Sequence, residues 1–181
     1  GDGKADVRKV IMEGWGVGDT HAGPANLKYG MDNRIWGSVG YSGYSNGDHR
    51  FGAGLFSFKP DGSDLRSETR FSNNTWGLGF SEEFHIFGST ANNTHSVALG
   101  ITDRYYRSTK TLEGQAARAN NGSRKIDGHY DIQPINNTVR QVDVFKGFTA
   151  AAGHNLYTAR VYPKSMWNSV GLVAEPTARL L

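Results

Sequence analysis

The sequence predicts an all-β chain of antiparallel sheets, and three observations carry that prediction. The first is a strand–turn–strand unit over residues 19–40, DTHAGPANLKYGMDNRIWGSVG. Leu27 and Tyr29 alternate with Asn26 and Lys28, the period of two of a half-buried strand. Gly30, Met31, Asp32 and Asn33 supply turn chemistry, and a second strand resumes with Ile35 and Trp36. The second observation is that the unit returns. Residues 78–89, LGFSEEFHIFGS, lie over residues 27–38, LKYGMDNRIWGS, without a gap and at an offset of 51. Leu78, Phe80, Ile86 and Phe87 match Leu27, Tyr29, Ile35 and Trp36, and the Gly-Ser pairs coincide. The third is composition: 24 glycines and a 37% apolar share suit a turn-rich β protein better than a helical one. Repeats of about 40–50 residues built from hairpins are the signature of propeller blades, so the finer expectation is about three blades of a larger propeller.

Taken in order, the chain opens with GDGKAD, similar to the second half of a DxDGDGxxD calcium loop. Asp2, the Lys4 carbonyl and Asp6 are its candidate oxygen ligands, although hard cations need six or more, and a plain Gly/Asp turn explains the same residues. Residues 7–13, VRKVIME, alternate and predict an outer strand. Residues 14–20 form a loop that delivers His21 to the first unit. Residues 43–47, GYSNG, match the GxSxG nucleophile elbow, but a strand rather than a helix follows, against a hydrolase site. Residues 54–71 read as a hairpin about Lys59-Pro60-Asp61-Gly62, where Pro presets the first turn angle and Gly accepts a left-handed one.

From residue 100 to 138 the periodicity degrades, and GQAARANNGSRKIDGHYD reads as an irregular insertion. Strands are expected again at residues 139–145 and 169–175, with His154 on the segment between them. The only helical candidates are residues 112–119 and 163–168. Both ends read as cut: residues 1–181 form a single segment of a longer protein, and the remaining blades are its first expected partner.

Bulk properties narrow the function. No apolar run approaches the length of a membrane span. A net charge of +3, with the basic residues scattered, gives no support for nucleic acid. The absence of cysteine excludes disulfides, Cys-ligated zinc and a CxxCH haem attachment within the segment. No GxGxxG leads into a helix, and the other histidines show no HxH or HxxxH spacing.

Around His21, Asn74, Trp76 and His154 the chain resembles a known family. HAGPANLKYGMDNRIWGSVG, GLFSFKPDGSDLRSETRFSNNTWGLGF and AAGHNLYTARVYPKSMWNSVGLVAEP are together similar to the glucose/sorbosone dehydrogenase propellers. The likeness is greatest to bacterial membrane-bound dehydrogenases with a C-terminal cytochrome c module. It implies a six-bladed propeller holding pyrroloquinoline quinone (PQQ) with calcium, in the periplasm or outside the cell. It further implies a sugar or alcohol substrate, and electrons leaving to a cytochrome c whose haem lies outside this segment. His21 takes the place of the catalytic histidine. Asn74 and Gly77 keep the pattern of the family's quinone-contacting Arg-Asn-Pro-Gln-Gly-Leu run, while Asn73, Thr75 and Trp76 depart from it.

On that resemblance His21 is the general base, since imidazole titrates near neutral pH. Asn74, Trp76 and His154 are cofactor contacts, and Asp2 and Asp6 are metal ligands. Each has a plainer reading. His21 also reads as an ordinary loop histidine, Trp76 as filling between sheets, and His154 as a satisfied buried group. The competing function is a non-catalytic propeller that binds carbohydrate or protein.

Overall fold

The computed structural model describes residues 2–71, 73–92, 94–100, 123–125, 135, 151–176 and 179–181. Among them the fold is all-β and antiparallel, and the one helical element is a 3-10 turn at Lys164–Met166. The first sheet holds β1 (Pro24–Tyr29), β2 (Ile35–Val39), β5 (Gly54–Phe58) and β6 (Arg66–Arg70), in that spatial order. A small hairpin of β3 (Tyr44–Asn46) and β4 (His49–Phe51) is inserted between β2 and β5. The second sheet is a meander of β7 (Thr75–Phe80), β8 (Ile86–Thr90), β9 (Val97–Leu99) and β10 (Ser123–Lys125). The third pairs β11 (Ala152–Leu156) with β12 (Gly171–Ala174).

The repeat seen in the sequence is structural. β7 and β8 occupy the positions of β1 and β2, and their registers agree: Lys28 pairs with Trp36 as Gly79 pairs with Phe87, and Tyr29 with Ile35 as Phe80 with Ile86. Both first strands carry a bulge near the start. The turns also correspond. Gly30 N–H donates to Arg34 C=O at 2.8 Å and Ser81 N–H to His85 C=O at 2.9 Å, and Asn33 and Phe84 share positive φ at 58° and 62°.

The third sheet is a further copy that a gapless comparison does not find. Ala152, Asn155 and Leu156 take the register places of Ala25, Lys28 and Tyr29, with the bulge between the same partners. Gly153 (φ 68°) stands where Asn26 (φ 56°) stands, because the bulge needs a left-handed residue there.

Successive copies stack face to face. Trp36 and Leu55 on one face of the first sheet meet Leu78 and Ile86 of the second. On the opposite face of the second sheet, Phe87 stacks on His154 of the third at 5.4 Å between ring centroids. The other face of the first sheet, with Val39, Phe56 and Phe58, is covered by Met12, Trp15 and the β3–β4 residues Tyr44 and Phe51. Burying side chains of this size stabilises the fold by about 1.5–3 kcal/mol each.

At the far end of the first sheet, Arg34 donates from Nε to Ser57 Oγ at 2.7 Å, and Ser57 donates to Glu68 at 2.5 Å. Arg34 also reaches Asp64 at 3.0 Å. Burial alone would raise the Asp64 carboxyl, but hydrogen bonds and charge from Arg66 and Arg34 hold it below its usual range.

Two sequence expectations are corrected. Residues 7–13 form no strand; Val7, Val10 and Ile11 are exposed, and Met12 instead reaches the first sheet. The insertion expected at 100–138 supplies a strand: β10 pairs with β9 and makes the second sheet four-stranded like the first. The turn at Lys59–Gly62 is as expected, with Gly62 at φ 88° and its N–H on the Lys59 carbonyl. The helix and strand read over 112–119 and 139–145 lie outside the described residues.

Candidate functional site

Strands β1 and β7 begin at the same end of their sheets, and the segments leading into them are tied together there. Trp76 donates its indole N–H to the His21 carbonyl at 2.9 Å. Asn26, held left-handed by the bulge, donates from Nδ2 to the Trp76 carbonyl at 2.7 Å and to Ser38 Oγ at 3.1 Å. Asn74 Oδ1 accepts the Tyr41 N–H at 2.7 Å, just where β2 ends. Gly40 is required at this crossing, because a Cβ there would lie 2.4 Å from Asn74 Oδ1. Three residues singled out in the sequence, His21, Asn74 and Trp76, therefore meet in one place.

The His21 side chain is 79% exposed. Asp19 Oδ1 accepts the His21 backbone N–H at 2.9 Å and lies 3.5 Å from Nδ1. A carboxylate on that side steadies the ring and leaves Nε2 open, the arrangement that suits imidazole to accept a proton. Ser42 fixes the same loop by donating to the Asp19 carbonyl at 2.8 Å.

One residue before Ser42, Tyr41 begins the wall of an open cleft of about 670 Å³. Its other polar lining residues are Tyr44, Ser45, Arg50 and Arg70, brought in by the β3–β4 hairpin and the end of β6. The GxSxG match falls on this hairpin: Gly47 sits at φ 57° in its turn, and Ser45 pairs with Arg50. With a strand on each side of that turn, there is no strand-to-helix elbow.

Over residues 1–181 the chain matches the model of the family described as Domain of unknown function (DUF7133). It belongs to that family. No curated protein and no solved structure matches it.

The other residues picked out in the sequence lie apart from this cluster. His154 is only 2% exposed, between Phe87 and the backbones of Gly79 and Gly171. Its Nε2 is 2.6 Å from Ser96 Oγ, and its buried Nδ1 has no hydrogen-bond partner among the described residues. Burial, with the charges of His95 and Lys28 nearby, pushes its pKa down to about 4. It is an interior residue at the place that Leu78 holds in the second copy. Asp2 and Asp6 are exposed, and Asp2 accepts the Lys4 N–H at 3.0 Å. Among the described residues no group of three or more His, Asp or Glu side chains is placed to hold a metal ion.

Sequence reading missed Asp19, Tyr41, Arg50 and Arg70. The Asp19-x-His21 spacing was a usable signal for the first. The others come from the segment after β2, from β4 and from the end of β6, and only the fold brings them to one cleft.

Proposed function

We propose that the chain is an arc of a β-propeller, and that the end of its sheets carrying His21 acts on a sugar or related alcohol, with His21 as general base. Supporting the arc are three copies of one bulged hairpin that stack by the same faces. Leu27, the counterpart of buried Leu78, is 61% exposed on the face where a preceding sheet would pack.

The single observation that carries the site is the Asp19–His21 pair, open to solvent beside the Tyr41 wall of the cleft. In this role Asp19 orients the ring, Nε2 accepts the hydroxyl proton, and the Trp76 bond to the His21 backbone fixes the loop.

Oxidation also needs a two-electron acceptor for the hydride, which side chains do not provide and which a redox cofactor held by the rest of the full-length protein, or the added dye, would have to supply. The residues assigned to PQQ do not fit it. PQQ is a polyanion, yet Trp76 spends its N–H on His21, Asn74 Oδ1 is engaged by Tyr41, and His154 is buried away from the site. None of the three brings a positive charge. Asp2 and Asp6, both exposed and with no third acidic or histidine ligand among the described residues, likewise do not fit calcium.

The test is dye-linked oxidation of sugars and polyols by the full-length protein, comparing wild type with His21→Gln. Loss of a general base predicts a fall of about 10²–10⁴-fold in kcat with folding unchanged. Equal turnover would refute the assignment. A second reading, binding without turnover, is favoured by the cleft itself, whose aromatic and cationic lining suits a ligand whether or not His21 reacts.

A further inference from the structure

We infer that the cleft beside His21 is an anion-reading saccharide site, in which Arg50 and Arg70 take the carboxylate or sulfate groups of an acidic sugar chain. The inference rests on the reading that this end of the sheets is the ligand face, and adds the substrate class.

Three of the chain's other arginines are engaged by carboxylates. Arg34 and Arg66 are both bound to Asp64, and Arg160 is paired with Glu82. Arg50 and Arg70 differ: neither side chain makes a hydrogen bond or ion pair among the described residues, and both line the same cleft. No carboxylate is among the cleft's lining residues. Two like charges kept around one opening repel each other, and a bound anion removes that repulsion. Guanidinium groups offer planar forks of N–H donors that match a carboxylate or sulfate in two-point contact.

The backbone holds the two arginines from different elements. Arg50 is on β4, opposite Ser45, and Arg70 ends β6, opposite Gly54. Phe71 N–H donates to the Ala53 carbonyl at 3.0 Å and locks the end of β6 to the cleft floor. Tyr44 stacks on its cross-strand partner Phe51 at 5.2 Å, which ties β3 to β4.

The remaining lining points to a saccharide rather than another polyanion. Tyr41 is 59% exposed and offers a flat ring against which a sugar face can lie, and Ser45 adds a hydroxyl. A nucleic acid would call for a broad basic surface, but the net charge is only +3.

The experiment is isothermal titration calorimetry on the full-length protein with four probes. These are a polyuronate oligosaccharide, a sulfated galactan oligosaccharide, a neutral β-glucan oligosaccharide of similar length, and a poly-glutamate peptide. Either acidic saccharide is expected to bind at least tenfold tighter than the neutral one, with affinity falling as salt rises. Which of the two binds tighter distinguishes a carboxylate from a sulfate reader. Arg50→Gln and Arg70→Gln are each expected to weaken binding about tenfold or more, while Arg8→Gln, outside the cleft, leaves it unchanged. Arg50→Lys, which keeps the charge and loses the fork, should fall between.

Equal affinity for the neutral probe, tighter binding of the peptide, or affinity unaffected by the Gln variants would overturn the inference. Acidic-saccharide binding that survives His21→Gln, in a protein without turnover, would leave this site standing and remove the oxidation reading. Oxidation of neutral sugars with no preference for acidic ones would do the reverse.

Discussion

Lys28 Nζ donates to Asn155 Oδ1 at 2.6 Å, joining the first and third copies of the hairpin across the second. The register place between them belongs to Gly79, where a Cβ would lie 2.1 Å from the His154 carbonyl. A lysine, a glycine and an asparagine thus occupy one repeat position in three consecutive sheets, and the glycine lets the flanking two meet. Burial lowers the Lys28 pKa, so the ammonium gives up hydration to make this contact.

Asn26 sets the end of the sheets where the site is built. It satisfies a left-handed bulge position and reaches the Trp76 backbone. Asn26→Gly keeps the backbone freedom and loses the hydrogen bonds; Asn26→Ala loses both. The expected costs are about 0.5–1.5 kcal/mol for Gly and about 1–2 kcal/mol more for Ala, read from urea denaturation. If Ala were the milder change, the bulge would not be imposing its conformation.

His154 gives the protein an acid-sensitive interior. Its folded pKa of about 4 lies below the ordinary value of 6.5. Above pH 6.5 the ring is neutral folded or unfolded and contributes no pH dependence. As pH falls from 6.5 to 4 the unfolded chain takes up a proton that the folded one refuses, so stability is lost through that window and the loss levels off below it. The full effect is about 3 kcal/mol. His95 and Lys28 both oppose the protonated ring. His154→Leu, the residue of the other two copies, should flatten this part of the profile in denaturation runs at pH 7, 5.5 and 4. An unchanged profile would place the acid sensitivity elsewhere.

Phe84 occupies the turn position that Asn33 fills in the first copy, with φ at 62°. A left-handed residue with a side chain costs about 1–2 kcal/mol. The ring offsets this by packing on Trp36 at 6.0 Å and Phe80 at 5.0 Å. Packing of a ring of this kind is worth about 1.5–3 kcal/mol, with aromatic pairing adding to it. Phe84→Asn should therefore destabilise by about 1 kcal/mol net, seen as a lower melting temperature. A higher melting temperature would mean that backbone strain outweighs the packing.

The sequence carried the fold unevenly, for physical reasons. The first two copies were legible because both turns have the same length and both strand pairs keep bulky residues in register, from Leu27 to Trp36 and from Leu78 to Phe87. The third copy was hidden twice. His154 replaces the leucine, and the turn runs over 157–170 rather than 30–34, which breaks any gapless alignment. Residues 7–13 alternate as a strand would, yet among the described residues no strand pairs with them. His21, Asn74 and Trp76 were found from the resemblance, but their mutual contacts run through backbone carbonyls and N–H groups, which side-chain patterns do not report. Arg50 lies on a three-residue strand of an inserted hairpin and Arg70 at the last position of β6, 20 residues on, and nothing in their spacing signals that they converge.

A crystal structure of the full-length protein measures directly whether the three hairpins are successive sectors about one axis. It should relate the β1–β2, β7–β8 and β11–β12 hairpins by equal rotations about a single axis running beside Lys28, Gly79 and Asn155, with a further sheet on Leu27 and Tyr29. Hairpins related by simple translation, or Leu27 and Tyr29 left bare to solvent in the intact protein, would contradict it.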